Sequence, residues 1–392
     1  MKKIIFKNII SLILLIFFTK NLFAFDKVNQ DLNNSSNKEK NFNAGEMIIE
    51  HIKDAYEWHL FTIGNKHITI PLPVILVYNN KIDIFLSSKF QHGHSSYKGY
   101  KLETEGKYKG KIVRVKEDGK TIDENAPKIL DFSITKNVLA IFISVILLCV
   151  IFIYIARVYT KRGSRAAPKG LQSALEVFIV FIRDDIAIPS IGKEKYEKFM
   201  PYLLSLFFFI FFNNLLGLVP FFPGGANVTG NLSVTMVLAV FTFVITTISG
   251  NRNYWKHIFN PPGVPIWLKI PPIMPIVELV GMFTKPFVLM IRLFANIMAG
   301  HIIILGFVSL IFIFGAVNVT GGVSVAAGSI VFIIFMSLLE LLVAFIQAYV
   351  FTLLSSLYFG LATEEDHTNG EHHQNKKIEN KPYEAVFINN QN

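Results

Sequence analysis

The sequence predicts an all-α polytopic membrane protein with five membrane-crossing helices plus an amphipathic surface helix. The last two crossings form a long tilted hairpin, and a small β-rich exported domain precedes them all. Three observations carry this expectation. The 392 residues are 52% hydrophobic and 17% charged, against roughly a quarter charged in soluble domains. From Phe199 to Gly250 there are 52 consecutive residues without Asp, Glu, Lys or Arg. A crossing takes about 20 apolar residues, so this run holds two and excludes a soluble globular enzyme. Finally, the basic residues fall in alternate loops, so the net charge of +10 reflects membrane topology and implies no nucleic acid.

Residues 1–24 run from Lys2, Lys3 and Lys7 through the apolar Ile9–Phe18 to Leu22-Phe23-Ala24. This is the order of a secretory signal peptide, with an uncleaved anchor as the alternative because Lys20 cuts the apolar run short. Either reading exports residues 25–134. That segment opens on a loose stretch from Asn29 to Asn43, followed by strand-like runs at His67–Ile70, Val74–Tyr78, Lys81–Phe85 and Lys109–Lys116. Period-two alternation in several of them, with Gly, Asn and Ser between, predicts a β-rich domain. His51, His59, His67, His92 and His94 lie here without metal-ligand spacing. Cys149 is the one cysteine, so no intramolecular disulfide forms.

The membrane domain, residues 135–362, has apolar regions at Val138–Ala156, Met200–Val219, Leu232–Ser249, about 273–319 and Val323–Leu361. Loops with Arg157, Lys161, Arg162, Arg165 and Lys169, with Lys193, Lys195 and Lys198, and with Arg252, Lys256 and Lys269 are basic, whereas Pro220–Asn231 and Asn318–Gly322 have no basic residue. The positive-inside rule makes the basic loops cytoplasmic. An exported amino terminus and five crossings then put the polar tail, residues 363–392, in the cytoplasm. Between the first two crossings, Leu171–Ile188 places Glu176 and Arg183 seven apart ahead of Asp184, Asp185 and Pro189. It reads as an amphipathic helix on the cytoplasmic surface, with a short sixth crossing as the alternative.

An ionisable residue inside a crossing costs a few kcal/mol or more and is by default a functional hypothesis. From Pro286 to Leu339 the only charged residue is Arg292, and from Gly322 to Thr363 it is Glu340. Thr320-Gly321-Gly322 is the expected turn. Folding the chain back there sets His301 level with Glu340, and Arg292 level with Gln347. Arg292 and Glu340 are then eight positions out of register, about 12 Å at 1.5 Å per residue. A direct pair between them is excluded by that distance, so the counter-ion of Arg292 belongs to another subunit. A helix over residues 280–318 is about 60 Å long, twice the hydrocarbon thickness of about 30 Å, and has to tilt or bend. Ala295, Ala299 and Gly300, with Ala344 and Ala348, are small enough for close approach of a neighbouring helix.

The stretch Lys285-Pro286-Phe287-Val288-Leu289-Met290-Ile291-Arg292-Leu293-Phe294-Ala295-Asn296, continued by Ile297-Met298-Ala299-Gly300-His301, resembles subunit a of the F-type ATP synthase. Asn214-Leu215-Leu216-Gly217-Leu218-Val219-Pro220 and Gln347-Ala348-Tyr349-Val350-Phe351 support the resemblance, which covers about residues 135–362. It implies a proton-conducting stator in a bacterial inner membrane, with no cofactor and no catalytic site of its own. Its implied partners are the carboxylate-bearing c-ring, peripheral stalk subunit b, the rest of the complex and the lipid bilayer. The essential arginine corresponds to Arg292, while His301, Glu340 and Asn214 correspond to the inlet half-channel. Asn296 and Gln347 belong to the same translocation set, and Glu278 and Lys285 to the cytoplasmic end. Some members exchange the acidic and histidine positions relative to this chain. The coupling ion, H⁺ or Na⁺, is left to ligands on the ring. The exported domain exceeds the family's usual short amino-terminal segment.

A secondary ion transporter is the alternative, but it predicts internal repeats around a midplane site, and the sequence has none. An intramembrane hydrolase using His301 and Glu340 lacks a nucleophile motif and a His-Glu-x-x-His metal motif.

Overall fold

Five helices of the computed structural model are long and apolar enough to cross a membrane, and they form where the charge-free runs stand. The residues described are 44–63, 66–116, 118–163, 167–219, 222–259 and 273–365. The leader, the stretch from Asn29 to Asn43, Arg165, Lys269 and the tail beyond residue 365 lie outside them.

The amino-terminal domain opens with α1 (Ala44–Ile52), which the sequence does not announce. The strands are β1 (Glu57–Ile63), β2 (Lys66–Pro71), β3 (Pro73–Tyr78), β4 (Lys81–Leu86), β5 (Ser96–Tyr97), β6 (Tyr100–Leu102), β7 (Ile112–Arg114) and β8 (Leu130–Asp131). They pair antiparallel into sheets ordered β1-β2, β4-β3-β8 and β5-β6-β7. Asn79 and Asn80 join β3 to β4 at φ +48° and +59°, the left-handed geometry that a two-residue hairpin turn needs. Alternation along β3 buries Val74 and Leu76 against Phe85, Phe90 and Tyr100. The strand expected over Lys109–Lys116 shrinks to β7. Ahead of it the chain turns at Gly110 (φ +81°), whose N–H donates to the Glu103 carbonyl at 2.7 Å.

The membrane part comprises α2 (Lys136–Arg162), α3 (Leu171–Phe181), α4 (Ile188–Ile191), α5 (Tyr196–Leu218), α6 (Leu232–Ser249), α7 (Arg252–Phe259), α8 (Ile273–Val317) and α9 (Val319–Thr363). A π-helical turn, Ile182–Ala187, joins α3 to α4. The amphipathic segment therefore runs on through Pro189 in α4, directly after the π-helical turn, although a proline has no N–H for a helical bond. Ile182, Ile186 and Ala187 are fully buried, and Arg183 and Asp184 are exposed. The buried face packs on α5 and α9. Gly360 permits that contact, because a β-carbon there would overlap the Ser190 carbonyl oxygen.

Helices α8 and α9 have 45 residues each, about 68 Å at 1.5 Å per residue. That is more than twice the hydrocarbon thickness, a length that a membrane helix accommodates by tilting or bending. The turn between them is not at Thr320-Gly321-Gly322 but two residues earlier. Asn318 caps α9, its Oδ1 accepting from Thr320 N at 3.1 Å, which satisfies an N-terminal amide that the helix leaves free. Gly322 serves a different purpose, since a β-carbon there would lie 2.7 Å from Gly315 Cα. The glycines let the hairpin helices touch. The amino-terminal domain sits over the start of α2 and the α5–α6 connection. At the opposite end, Lys195 Nζ donates to the Thr363 carbonyl at 2.8 Å and Asn251 N to the Ala362 carbonyl at 2.9 Å.

Candidate functional site

The α8–α9 hairpin brings His301 and Glu340 into contact, with His301 Nδ1 2.6 Å from Glu340 Oε1. Glu340 is 4% exposed, and an ionisable group so placed is costly without a partner. Gly300 makes the room, because a β-carbon at that position would lie 2.8 Å from the same Oε1. With Nδ1 engaged, His301 Nε2 is the nitrogen left for exchange. It lies toward Gly217 on α5.

Asn214 on α5 is held from two sides. Its Nδ2 donates to the Ala344 carbonyl at 3.2 Å, and its Oδ1 accepts from Thr229 Oγ1 at 2.5 Å. Thr229 belongs to the α5–α6 connection, where Gly230 N donates to Asn227 Oδ1 at 3.0 Å. Together Asn214, Asn227, Thr229, His301 and Glu340 line a narrow, partly open cavity at the domain end of the helices. Asn213 Oδ1, Asn227 Nδ2 and Glu340 Oε2, all on residues lining it, are buried with no hydrogen-bond partner among the described residues. An unmade hydrogen bond costs about 1–3 kcal/mol, so polar contents suit this space.

Arg292 stands apart from that cavity. It is exposed on α8 and has no hydrogen bond or ion pair among the described residues. Val288, Ala295, Asn296 and Ala299 are also exposed, and their spacing puts them on one helix face with Arg292. Gln347, which the hairpin arithmetic sets level with Arg292, is 6% exposed and buried in the hairpin. The two side chains are not hydrogen-bonded. The structure thus brings His301 and Glu340 of one expected layer into contact, while in the other layer Arg292 is exposed and Gln347 buried.

A second narrow, partly open cavity lies toward the opposite end, lined by Thr246, Tyr254, Lys285 and Tyr358 among others. Lys285 Nζ sits 5.6 Å from the Tyr358 ring centroid, a cation–π contact. Glu278, one turn from the start of α8, is half-buried. Along α8, Arg292 is about 14 Å from His301 and about 11 Å from Lys285 at 1.5 Å per residue. The lone guanidinium therefore lies between the levels of the two cavities.

Asn213, Asn227, Thr229 and the space-making role of Gly300 are absent from the sequence reading. Their sole sequence signal is polar side chains, Asn213-Asn214 and Asn227-Val228-Thr229, inside a run without charges.

Comparison with known proteins gives independent findings. A family model described as ATP synthase A chain matches residues 138–360. A second, described as a domain of unknown function (DUF8433), matches residues 47–132. ATP synthase subunit a 2 of Chlorobaculum tepidum is 47% identical over 247 residues, covering 62% of this chain and 66% of that protein. ATP synthase subunit a 2 of Prosthecochloris aestuarii is 44% identical over 62% of this chain and 72% of its own. ATP synthase subunit a of Myxococcus xanthus is 43% identical over 265 residues, 66% of this chain and 82% of its own.

Proposed function

The chain belongs to the ATP synthase A chain family, and from that premise we propose that it is the stator that carries protons past a ring of carboxylate-bearing subunits. As a membrane-sector subunit it is not an enzyme alone. The observation that carries the proposal is Arg292, exposed and unpaired on a face with small residues, between the levels of two cavities at opposite ends of α8.

The cavity with His301 and Glu340 is the inlet half-channel, open to the exported side, and the cavity with Lys285 and Tyr358 is the outlet to the cytoplasm. A proton taken up at the inlet is relayed by the His301–Glu340 pair, whose contacting groups can each accept and donate a proton. Asn214 and Thr229 hold the polar wall of that route. The ring carboxylate that receives the proton is neutral and free to pass through lipid. On its return it meets the Arg292 guanidinium, a planar positive charge. The fixed positive charge favours the ionised carboxylate, so the proton leaves toward Lys285 and Glu278. The same charge bars a proton from crossing directly between the half-channels. Asn296, Ala295 and Ala299, exposed on the Arg292 face, let the ring helix approach closely. One elementary charge through 100 mV is worth about 2.3 kcal/mol, so several protons must pass per ATP.

In this reading residues 25–134 are exported, residue 363 onward is cytoplasmic, and the peripheral stalk holds the subunit against the torque of the ring. The experiment is to purify the complex with cysteine at Ala299, on the Arg292 face, and to apply a short thiol-directed crosslinker. Crosslinking to a small carboxylate-bearing ring protein is expected. Its absence from a complex that contains the ring would contradict the assignment of this face.

A further inference from the structure

The amino-terminal domain reaches the wall of the inlet cavity. Trp58, on β1, is 3% exposed and lies in one buried cluster with Ala140 of α2 and with Ala226 and Val228 of the α5–α6 connection. Its ring meets Phe222 of that connection edge to face, with centroids 5.2 Å apart and planes at 70°. Ala226 and Val228 also line the cavity that holds His301 and Glu340. The connection is therefore a single layer of chain, with the inlet on one side and Trp58 on the other.

The support behind Trp58 is firm. Four residues earlier, Asp54 binds the start of α2, its Oδ1 accepting from Asn137 N at 3.0 Å and its Oδ2 from Thr135 Oγ1 at 2.7 Å. The Lys136 amide donates to the Ala55 carbonyl at 2.8 Å. A carboxylate at a helix N-terminus satisfies free amides and meets the positive end of the dipole. The supported segment, by contrast, contains neither helix nor strand from residue 222 to residue 231. It also carries Thr229, whose hydroxyl fixes Asn214.

We infer that Trp58 is a positioning residue for proton uptake. By packing behind Ala226 and Val228 it keeps Thr229 on Asn214 and the inlet at its working width. The amino-terminal domain, whose family description names no function, thereby sets the access of protons to the His301–Glu340 pair. This inference rests on the stator reading.

The test uses the assembled complex in vesicles, with Cys149 replaced by Ser. Two readouts are compared for the parent, Trp58→Ala, Trp58→Phe and Phe222→Ala. The first is proton flux per assembled complex against exported-side pH. Trp58→Ala and Phe222→Ala are expected to move the half-saturating proton concentration severalfold, and Trp58→Phe to return it toward the parent. The second is labelling of a cysteine at Ala226 by an impermeant thiol reagent, expected to quicken in the two alanine variants. Phe222→Ala leaves the domain untouched, so it decides the matter if Trp58→Ala does not assemble. Unchanged labelling and an unchanged pH profile in Phe222→Ala would overturn the inference. The labelling needs no proton flux, so a failed stator reading shows separately, as coupling that survives loss of Arg292.

Discussion

Gly300 and Glu340 share one space: a β-carbon on residue 300 would lie 2.8 Å from Glu340 Oε1 and 3.3 Å from its Cγ. The carboxylate that contacts His301 is seated where α8 has no side chain. Gly300→Ala should therefore displace Glu340 from His301 without altering helix propensity unfavourably, since Ala exceeds Gly in helices by about 1 kcal/mol. The expected result is a normally assembled complex with proton flux reduced several-fold. Full flux per assembled complex would show that the seat is not needed.

His301 and Glu340 form a contact pair, and contacting residues are coupled energetically. If they act as one relay, exchanging them, His301→Glu with Glu340→His, should restore more flux than either single change. Independent sites would give additive losses. The assay is flux normalised to assembled complex, because a purely structural hydrogen bond also predicts rescued assembly.

If each of the five candidate crossings among the described residues spans the membrane, the amino-terminal domain and residue 363 lie on opposite sides. With Cys149 replaced, a cysteine at Lys120 should react with impermeant reagent from the exported side, and one at Lys169 from the cytoplasm. Reversed labelling would invert the assignment of inlet and outlet.

Within the amino-terminal domain, Asp83 accepts from Lys98 Nζ at 2.8 Å and from Tyr100 Oη at 3.1 Å. The lysine bond first, and the tyrosine bond after it, hold the Asp83 carboxyl below its ordinary range. A depressed carboxylate stabilises the fold above its unfolded value, about 3.9, and the contribution is lost as pH falls through the lower folded value. Asp83→Asn should lower the melting temperature of the complex's domain transition at pH 7, and the difference should close as the pH drops below 4. A gap that persists in acid would mean that the ion pair is not its source.

The crossings were legible because charge is expensive in hydrocarbon, so its absence marks α2, α5, α6, α8 and α9 to within a few residues. Hairpin arithmetic set His301 beside Glu340, and the stacked rings of Phe307 and Phe332 keep the same register nearer the turn. The same arithmetic gives the level of Arg292 and Gln347 but not the face, and the structure has Arg292 exposed and Gln347 buried. Gly322 resembles a breaker in sequence, whereas its use is the room it leaves for Gly315. Gly300 has the small size expected for close approach of a neighbouring helix, and the side chain it admits is Glu340. Domain contacts such as Trp58 with Phe222 join residues more than 160 positions apart, and no local pattern announces them.

The central claim is that Arg292 couples ring carboxylates to proton flow, and the most direct measurement is ATP-driven proton pumping in vesicles carrying the Arg292→Ala complex. The account predicts normal insertion and assembly with pumping and ATP synthesis abolished. Pumping at the parent rate in those vesicles would contradict it.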